Sequence, residues 1–283
     1  MKKLIIGTAQ LVKNYGITNF KNKKNKKKIF QFLEFCIQNS IYNYDTAANY
    51  GSEKIIGEFI KINNLKNLKI YSKIPSLKFV KDDHKLDYLK KKIDLSIENF
   101  YSLDTIYFHD ENDLNFFKKN LFKIDYIIKS YKIKNLGFSI YSKNLLKDLL
   151  SFKEINTIQL PFNIIDKHPN NIKSNKTIIA RSIFLQGLLI NSKLKTKNFI
   201  LKKFNERLMK LSIKNDMDIY SLCLDYVLEK NFINKIVVGF DDVVQLKKIL
   251  KFKKGNINTN HLKLINSLIS KTNYDIIKDP RKW

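Results

Sequence analysis

A chain of 283 residues with 44% apolar content has the composition of a folded globular protein. Its mean hydropathy of -0.30, with no run near the ~20 apolar residues a spanning helix needs, argues against a membrane protein. The net charge of +27 invites a nucleic-acid partner, yet arginine, whose planar fork reads phosphates and bases, occurs only at Arg181, Arg207 and Arg281.

Lysine supplies nearly all the positive charge and, with asparagine and isoleucine, is what A/T-rich codons encode, so a biased genome explains the charge and no dedicated nucleic-acid partner is expected. The chain opens on a strand candidate at residues 3–8, whose apolar Leu4-Ile5-Ile6 stops at Gly7-Thr8, too short for a signal-peptide core. The lysine-rich run at 21–28 reads as a solvated loop leading into a helix at 28–39, which carries Ile29, Phe32, Leu33, Phe35 and Cys36 on one face. A second strand at 42–46 ends on Asp45, and the following loop holds Tyr50 before a helix at 53–62 with Ile55, Ile56, Phe59 and Ile60. Strands at 69–73 and 105–109 end on Lys73 and His109, with helices at 85–99 and 114–130 following them. Further strands are read at 135–139, 157–161, 177–182 and 235–239, and further helices at 143–150, 198–214, 219–229 and 243–250. The helix pair between 198 and 229 has no strand between its members and reads as an insertion before the last strand. Cys36 and Cys223 both sit in apolar helical patterns and read as buried free thiols, which suits a reducing cytoplasm.

Eight strands separated by helices imply a parallel sheet, because parallel neighbours need a crossover. An open doubly wound sheet and a closed barrel share that alternation. No glycine-rich G-x-G-x-x-G turn follows the first strand, and the polar residues of interest gather at strand C-terminal ends, where a barrel builds its site. The expected fold is therefore a (β/α)8 TIM barrel forming one domain over residues 1–283.

Asp45, Lys73 and His109 end three consecutive strands, with Tyr50 in the loop beside them. An unperturbed phenol, with a pKa near ~10, gives up its proton reluctantly at neutral pH. An adjacent ammonium lowers that pKa, and a carboxylate keeps the ammonium charged and oriented. A histidine near the same carbonyl oxygen orients the substrate, and a hydride must come from a cofactor. The set suits reduction of an aldehyde or ketone to an alcohol, with Tyr50 as proton donor and Tyr50 and His109 touching the substrate. The remaining histidines, His84, His168 and His261, lie in polar segments and read as solvated; no cluster has metal-ligand spacing, so no metal is expected. Tyr107 and Phe108 read as core, while Phe162, Asn163 and Arg181 are candidate pocket residues.

The string Asp45-Thr46-Ala47-Ala48-Asn49-Tyr50-Gly51-Ser52-Glu53, with Gly7-Thr8-Ala9-Gln10 and Tyr15-Gly16-Ile17 before it, resembles the aldo-keto reductase superfamily from the first strand to the last helix. The resemblance implies catalytic roles for Asp45, Tyr50, Lys73 and His109. It also implies a nicotinamide cofactor held by Gly7, Thr8, Asp45, Ser139, Gln159, Arg181, Ser182, Gly187, Gly239, Asp241 and Gln245. Ser139 and Gln159 match the residues that hold the carboxamide, but Ile140 replaces the usual asparagine after Ser139. Arg181 stands where many members stack an aromatic ring on the nicotinamide; its guanidinium would stack there or reach an anionic substrate. Gly239-Phe240-Asp241-Asp242 replaces the usual basic stretch, and Gln245 stands where an arginine often sits. NADPH is the family default, and the two aspartates leave NADH open. The expected substrate is a small carbonyl compound, with a sugar or nucleotide-linked sugar suggested by analogy with the Arg181-Ser182-Ile183-Phe184-Leu185-Gln186-Gly187 string. Two readings compete on the same barrel: a cofactor-binding sensor or partner subunit with little turnover, and a Schiff-base aldolase using Lys73.

Overall fold

β-Branched and aromatic residues, stiff at χ1 and suited to a pleated surface, concentrate in eight short runs. In the structure, a computed structural model that describes residues 3–12, 25–166, 172–192, 194, 196–270 and 274–283, each run is a strand. They are β1 (Leu4–Gly7), β2 (Asn43–Asp45), β3 (Lys69–Ile74), β4 (Thr105–Phe108), β5 (Asn135–Ser139), β6 (Thr157–Pro161), β7 (Thr177–Arg181) and β8 (Lys235–Gly239). Each pairs in parallel with the next and β8 returns to β1, closing the barrel that the alternation implied. The register sets Gly7 opposite Asp45 on one side and Gly239 on the other. Lys73 lies opposite Tyr107, and Ser139 opposite Gln159.

The helices are α1 (Ala9–Val12), α2 (Lys26–Gln38), α3 (Ser52–Ile62), α4 (Lys85–Phe100), α5 (Leu114–Lys119), α6 (Leu121–Ser130), α7 (Lys143–Ser151), α8 (Phe199–Lys214), α9 (Ile219–Leu228), α10 (Val243–Lys251), α11 (Thr259–Ser270) and α12 (Tyr274–Ile277). In α2, Asn25 caps the first turn by accepting from the Lys28 amide at 2.9 Å, and Ile29, Phe32, Leu33 and Cys36 form the buried stripe. The single helix expected at 114–130 is two, parted at Asn120, whose backbone leaves helical geometry (φ −119°, ψ 20°) and whose side chain donates to the Phe116 carbonyl at 3.0 Å. α8 and α9 lie between β7 and β8 with no strand between them, as expected, whereas α11 and α12 follow the last strand and were not foreseen.

The core has two parts. Ile5, Tyr71, Tyr107 and Ile179 pack against Val237 as a cluster of their own, while the larger core spreads over the barrel strands and the helices around them. Each fully buried side chain of this size contributes about 1.5–3 kcal/mol. The buried phenols keep partners: Tyr107 Oη lies 3.2 Å from Thr157 Oγ1, and Tyr71 bonds Asn43 and Lys235. Tyr107 and Phe108 are fully buried, as their sequence context suggested, and both cysteines are buried free thiols. No helix among the described residues is long and apolar enough to cross a membrane. The Tyr15-Gly16-Ile17 segment, the start of the lysine run at 21–24 and His168 lie outside the described residues.

Candidate active site

The loop that carries Tyr50 is shaped by its neighbours in sequence. Gly51 takes φ +79°, a left-handed conformation that costs glycine little, and opens α3 directly after the tyrosine. Ser52 Oγ then bonds Thr8 Oγ1 at 2.9 Å and Thr46 Oγ1 at 3.0 Å, pinning the loop to the ends of β1 and β2. Glu53, buried in the first turn of α3, accepts from Ser72 at 2.5 Å and Ser96 at 2.9 Å and so ties the helix to β3 and α4. Burial raises the Glu53 carboxyl above its usual range, against those hydrogen bonds.

Beneath this loop runs a buried polar chain. Lys73 Nζ donates to Asp45 Oδ1 at 2.5 Å and to the Thr46 carbonyl at 2.9 Å. Gln159 Nε2 donates to Asp45 Oδ2 at 2.6 Å, and Ser139 Oγ donates to Gln159 Oε1 at 3.2 Å. Ends of β2, β3, β5 and β6 are thereby joined through one carboxylate. Burial pulls the Lys73 ammonium below its usual pKa, opposed by Asp45. Its side chain is only 1% exposed and its proton donors face Asp45 and Thr46, a poor setting for a Schiff-base nucleophile.

Tyr50 and His109 meet edge to face with ring centroids 5.8 Å apart, and Lys73 Nζ lies 5.4 Å from the Tyr50 centroid. The expected acidification of the phenol by lysine is reversed: burial first, and then the Asp45 charge, hold Tyr50 well above the ordinary phenol range, against the pull of Arg181. The ammonium is already paired with Asp45, so its field is largely cancelled at the ring. His109 is held down to about 3 by burial and by the Lys73 and Arg181 cations, so it is neutral at pH 7. The phenol is thus protonated and the imidazole uncharged.

A cleft of about 690 Å³ opens from Asp45 and Tyr50 and runs past Gln159, Arg181, Phe184 and Gly239 to Tyr220, Gln245 and Lys248. Gly7, Thr8, Ser182, Gly187 and Asp241 also line it, whereas Lys73 and Ser139 stand buried behind the wall. Along one side the chain between β7 and α8 is strained: Ser182, Leu185 and Gln186 hold positive φ of 56°, 49° and 53°, and Gly187 holds 92°. Two expected pocket residues are corrected here. Phe162 is fully buried and stacks on Tyr226 at 5.5 Å, facing α9 rather than the cleft. Asn163 is also fully buried; its amide donates to the Ser182 carbonyl at 3.2 Å and its oxygen accepts from the Ile165 and Asp166 amides at 2.9 Å, so it braces the strained turn.

Other residues on the cleft escape sequence reasoning. Phe184 stacks on Tyr220 at 5.0 Å, and Lys248 Nζ sits 3.9 Å from the same ring centroid. Gln10 Nε2 donates to Asp241 Oδ1 at 3.2 Å. At the mouth, Tyr141 lies between two of the three arginines, with Arg181 Cζ at 4.1 Å and Arg281 Cζ at 3.8 Å from its ring centroid. Arg281 pairs with Asp279 at 2.8 Å and Glu111 at 3.3 Å, which anchors the C-terminal turn there. Retention of arginine in so lysine-rich a chain is the one sequence signal for that cluster. Ile140, where an asparagine was expected, is buried and gives its carbonyl to Arg181 at 3.2 Å. His84 is exposed beside Asp83, and His261 is half-buried near Asn258. Among the described residues no group of three or more His, Cys, Asp or Glu could hold a metal ion.

The barrel geometry is shared with solved structures. A thermostable aldo-keto reductase in complex with the inhibitor epalrestat superposes with a TM-score of 0.68 at 22% identity, covering 95% of each chain. The holo form of an aldo-keto reductase from Bacillus halodurans gives 0.71 at 18% identity over 94% of this chain and 91% of its own. A glycerol dehydrogenase from Gluconobacter oxydans gives 0.67 at 15% identity over 96% and 92%. No curated protein sequence matches the chain. The family model described as "Aldo/keto reductase family" matches residues 3–270, nearly the whole barrel with every residue of the polar chain and the cleft described above. With a protonated phenol over a buried lysine–aspartate pair at the head of a long cleft, the chain belongs to the aldo/keto reductase family and is an NAD(P)-dependent oxidoreductase acting on carbonyl compounds.

Proposed function

We propose that the chain reduces the carbonyl group of a small, polar, anionic metabolite to an alcohol, with Tyr50 delivering the proton. The observation that carries this is the pairing of a half-buried, protonated Tyr50 with Arg181 on one cleft. The donor set fits a dinucleotide. Apolar Ile183, Ile190 and Val237 and the stacked Phe184 and Tyr220 rings suit aromatic bases, and the volume falls within the range of cofactor sites. Gln159 lines the same cleft and, beyond its bonds to Asp45 and Ser139, its amide has one more N–H and one more lone pair for a carboxamide. Ser182, Gly187 and Gly239 offer close backbone approach, and Asp241 and Gln245 stand farther along the wall. When bound, the reduced nicotinamide supplies the hydride.

The chain's own residues then divide the remaining work. Tyr50 Oη donates to the carbonyl oxygen and gives up its proton as negative charge develops there. Arg181, whose charge pulls against the raised phenol, stabilises the phenolate left behind, while the Lys73–Asp45 pair, held by the Gln159 and Thr46 contacts, fixes the polar floor beneath it. Neutral His109, edge-on to Tyr50, donates a hydrogen bond to the same oxygen and orients the substrate. Arg181, held by the Ile140 carbonyl and stacked on Tyr141, is the cation that recognises a carboxylate or phosphate on the substrate, a phosphorylated sugar being one fitting class. The named activity of the structurally similar glycerol dehydrogenase supports a polyhydroxylated substrate. The place of work is the cytoplasm.

The test is consumption of reduced nicotinamide by a panel of matched aldehydes and ketones with and without a carboxylate or phosphate. Anionic members are expected to turn over with the lower KM. Arg181→Leu is expected to raise KM for those members about 10- to 100-fold while leaving neutral ones within a few fold. Equal losses on charged and neutral members would rule out substrate recognition by Arg181.

A further inference from the structure

We infer that this reductase is built for NADH rather than NADPH, and that Asp241 makes the selection by accepting the hydroxyl hydrogens of the adenosine ribose. The inference rests on the reading above that the long cleft holds the dinucleotide. With the nicotinamide fixed at Tyr50, where hydride must be delivered, the adenosine half occupies the part of the cleft lined by α9 and by the loop from β8 into α10.

The hydrogen-bonding groups of that corner are arranged in one sense. Asp241 Oδ1 accepts from Gln10 Nε2 at 3.2 Å, and Asp241 Oδ2 accepts from Gln245 Nε2 at 3.2 Å. The two glutamine amides therefore orient the carboxylate from opposite elements, α1 and α10. The nearby backbone donors are also engaged: the Asp241 amide gives to Gln245 Oε1 at 2.9 Å, and the Gln245 amide gives to Asp242 Oδ1 at 2.8 Å. A 2′-phosphate needs donors and cations, and these two amides are already spent on side chains of the same loop, where Asp241 stands as an acceptor on the cleft wall. Vicinal ribose hydroxyls are donors that match it.

Gly239 is part of the same device. A Cβ at that position would lie 1.8 Å from Gln10 Oε1, so only the bare glycine leaves Gln10 room to reach Asp241. Among the described residues, the charges at the corner are Asp241, Asp242, Asp218 and Lys248. Lys248, the cation among them, is exposed, lies 3.9 Å over the Tyr220 ring and feels Asp218. Its charge is screened by water, whereas Asp241 is half-buried and held in place by two glutamine amides.

The experiment is titration of the purified protein with NADH and with NADPH separately, followed by cofactor fluorescence and checked by calorimetry. The wild type is expected to bind NADH about tenfold or more tightly than NADPH. Asp241→Ser is expected to narrow that ratio by about tenfold, and Gln10→Ala, which loosens the carboxylate without removing it, by a smaller factor. Equal or tighter NADPH binding by the wild type overturns the inference while leaving the reductase reading intact. An unchanged ratio in folded Asp241→Ser overturns the role of Asp241. If neither cofactor binds below millimolar concentration, the reductase reading and this inference fail together.

Discussion

Asp45 and Lys73 are both nearly inaccessible to water, and each is the other's charge partner. Desolvating such a pair is expensive, and removing one partner strands the other. Lys73→Met is therefore expected to destabilise the fold by about 3–5 kcal/mol in chemical denaturation, with the double variant Asp45→Asn/Lys73→Met recovering a good part of the loss. Additive losses would show that the two do not act as a pair. His109 gives a pH signature of opposite origin. Its folded pKa of about 3 lies below the ordinary histidine value of 6.5, so the folded state binds fewer protons than the unfolded chain between those values. The stability it contributes is complete above pH 6.5 and is lost as pH falls toward 3. His109→Gln is expected to flatten that acid limb relative to wild type, and parallel limbs would contradict the burial of a neutral imidazole. The residues of this set were legible in the sequence because a nine-residue motif and three strand ends announced them. The direction of the Tyr50 shift was not, because it depends first on how far the folded loop desolvates the ring and then on how close Asp45 lies to it.

Strands were placed within a residue or two by composition alone, since apolar β-rich runs bounded by polar turns have few other fates. Helix breaks and loop contacts were harder. Nothing in the pattern at 114–130 shows that Asn120 turns back on Phe116, and nothing marks Tyr220 or Lys248 as neighbours of Phe184, because three separate elements bring them together. Asn163 reads in sequence as a pocket residue, yet its work is to hold the turn whose left-handed positions are Ser182, Leu185, Gln186 and Gly187. Asn163→Ala leaves the Ser182 carbonyl and two buried amides without their partner and is expected to cost about 1–3 kcal/mol. Thermal denaturation reads this, and a neutral result would mean the turn holds itself. Gly239→Ala tests the opposite corner. The intruding Cβ meets only the flexible end of Gln10, so folding is expected to survive while cofactor affinity falls several fold; a loss of folding instead would place the constraint in the barrel.

At the scale of the molecule, 53 basic residues face 26 acidic ones. The exposed ion pairs contribute little, so like-charge repulsion opposes the compact state. Raising ionic strength from about 0.01 to 0.15 M screens charges beyond about 8 Å and is expected to raise Tm; a fall would mean that the ion pairs outweigh the repulsion. The barrel itself tolerates this charge because its closure and its two-part core rest on apolar contacts. What the whole molecule does with that frame is move a hydride and a proton to one carbonyl, and Tyr50 is the residue on which the account turns. The direct measurement is single-turnover oxidation of bound reduced nicotinamide by a reactive aldehyde, in wild type and in Tyr50→Phe. Cofactor affinity is expected to stay within about twofold while the rate falls about 100- to 10,000-fold; a variant that binds cofactor and reacts at the wild-type rate would contradict the assignment of Tyr50 as proton donor.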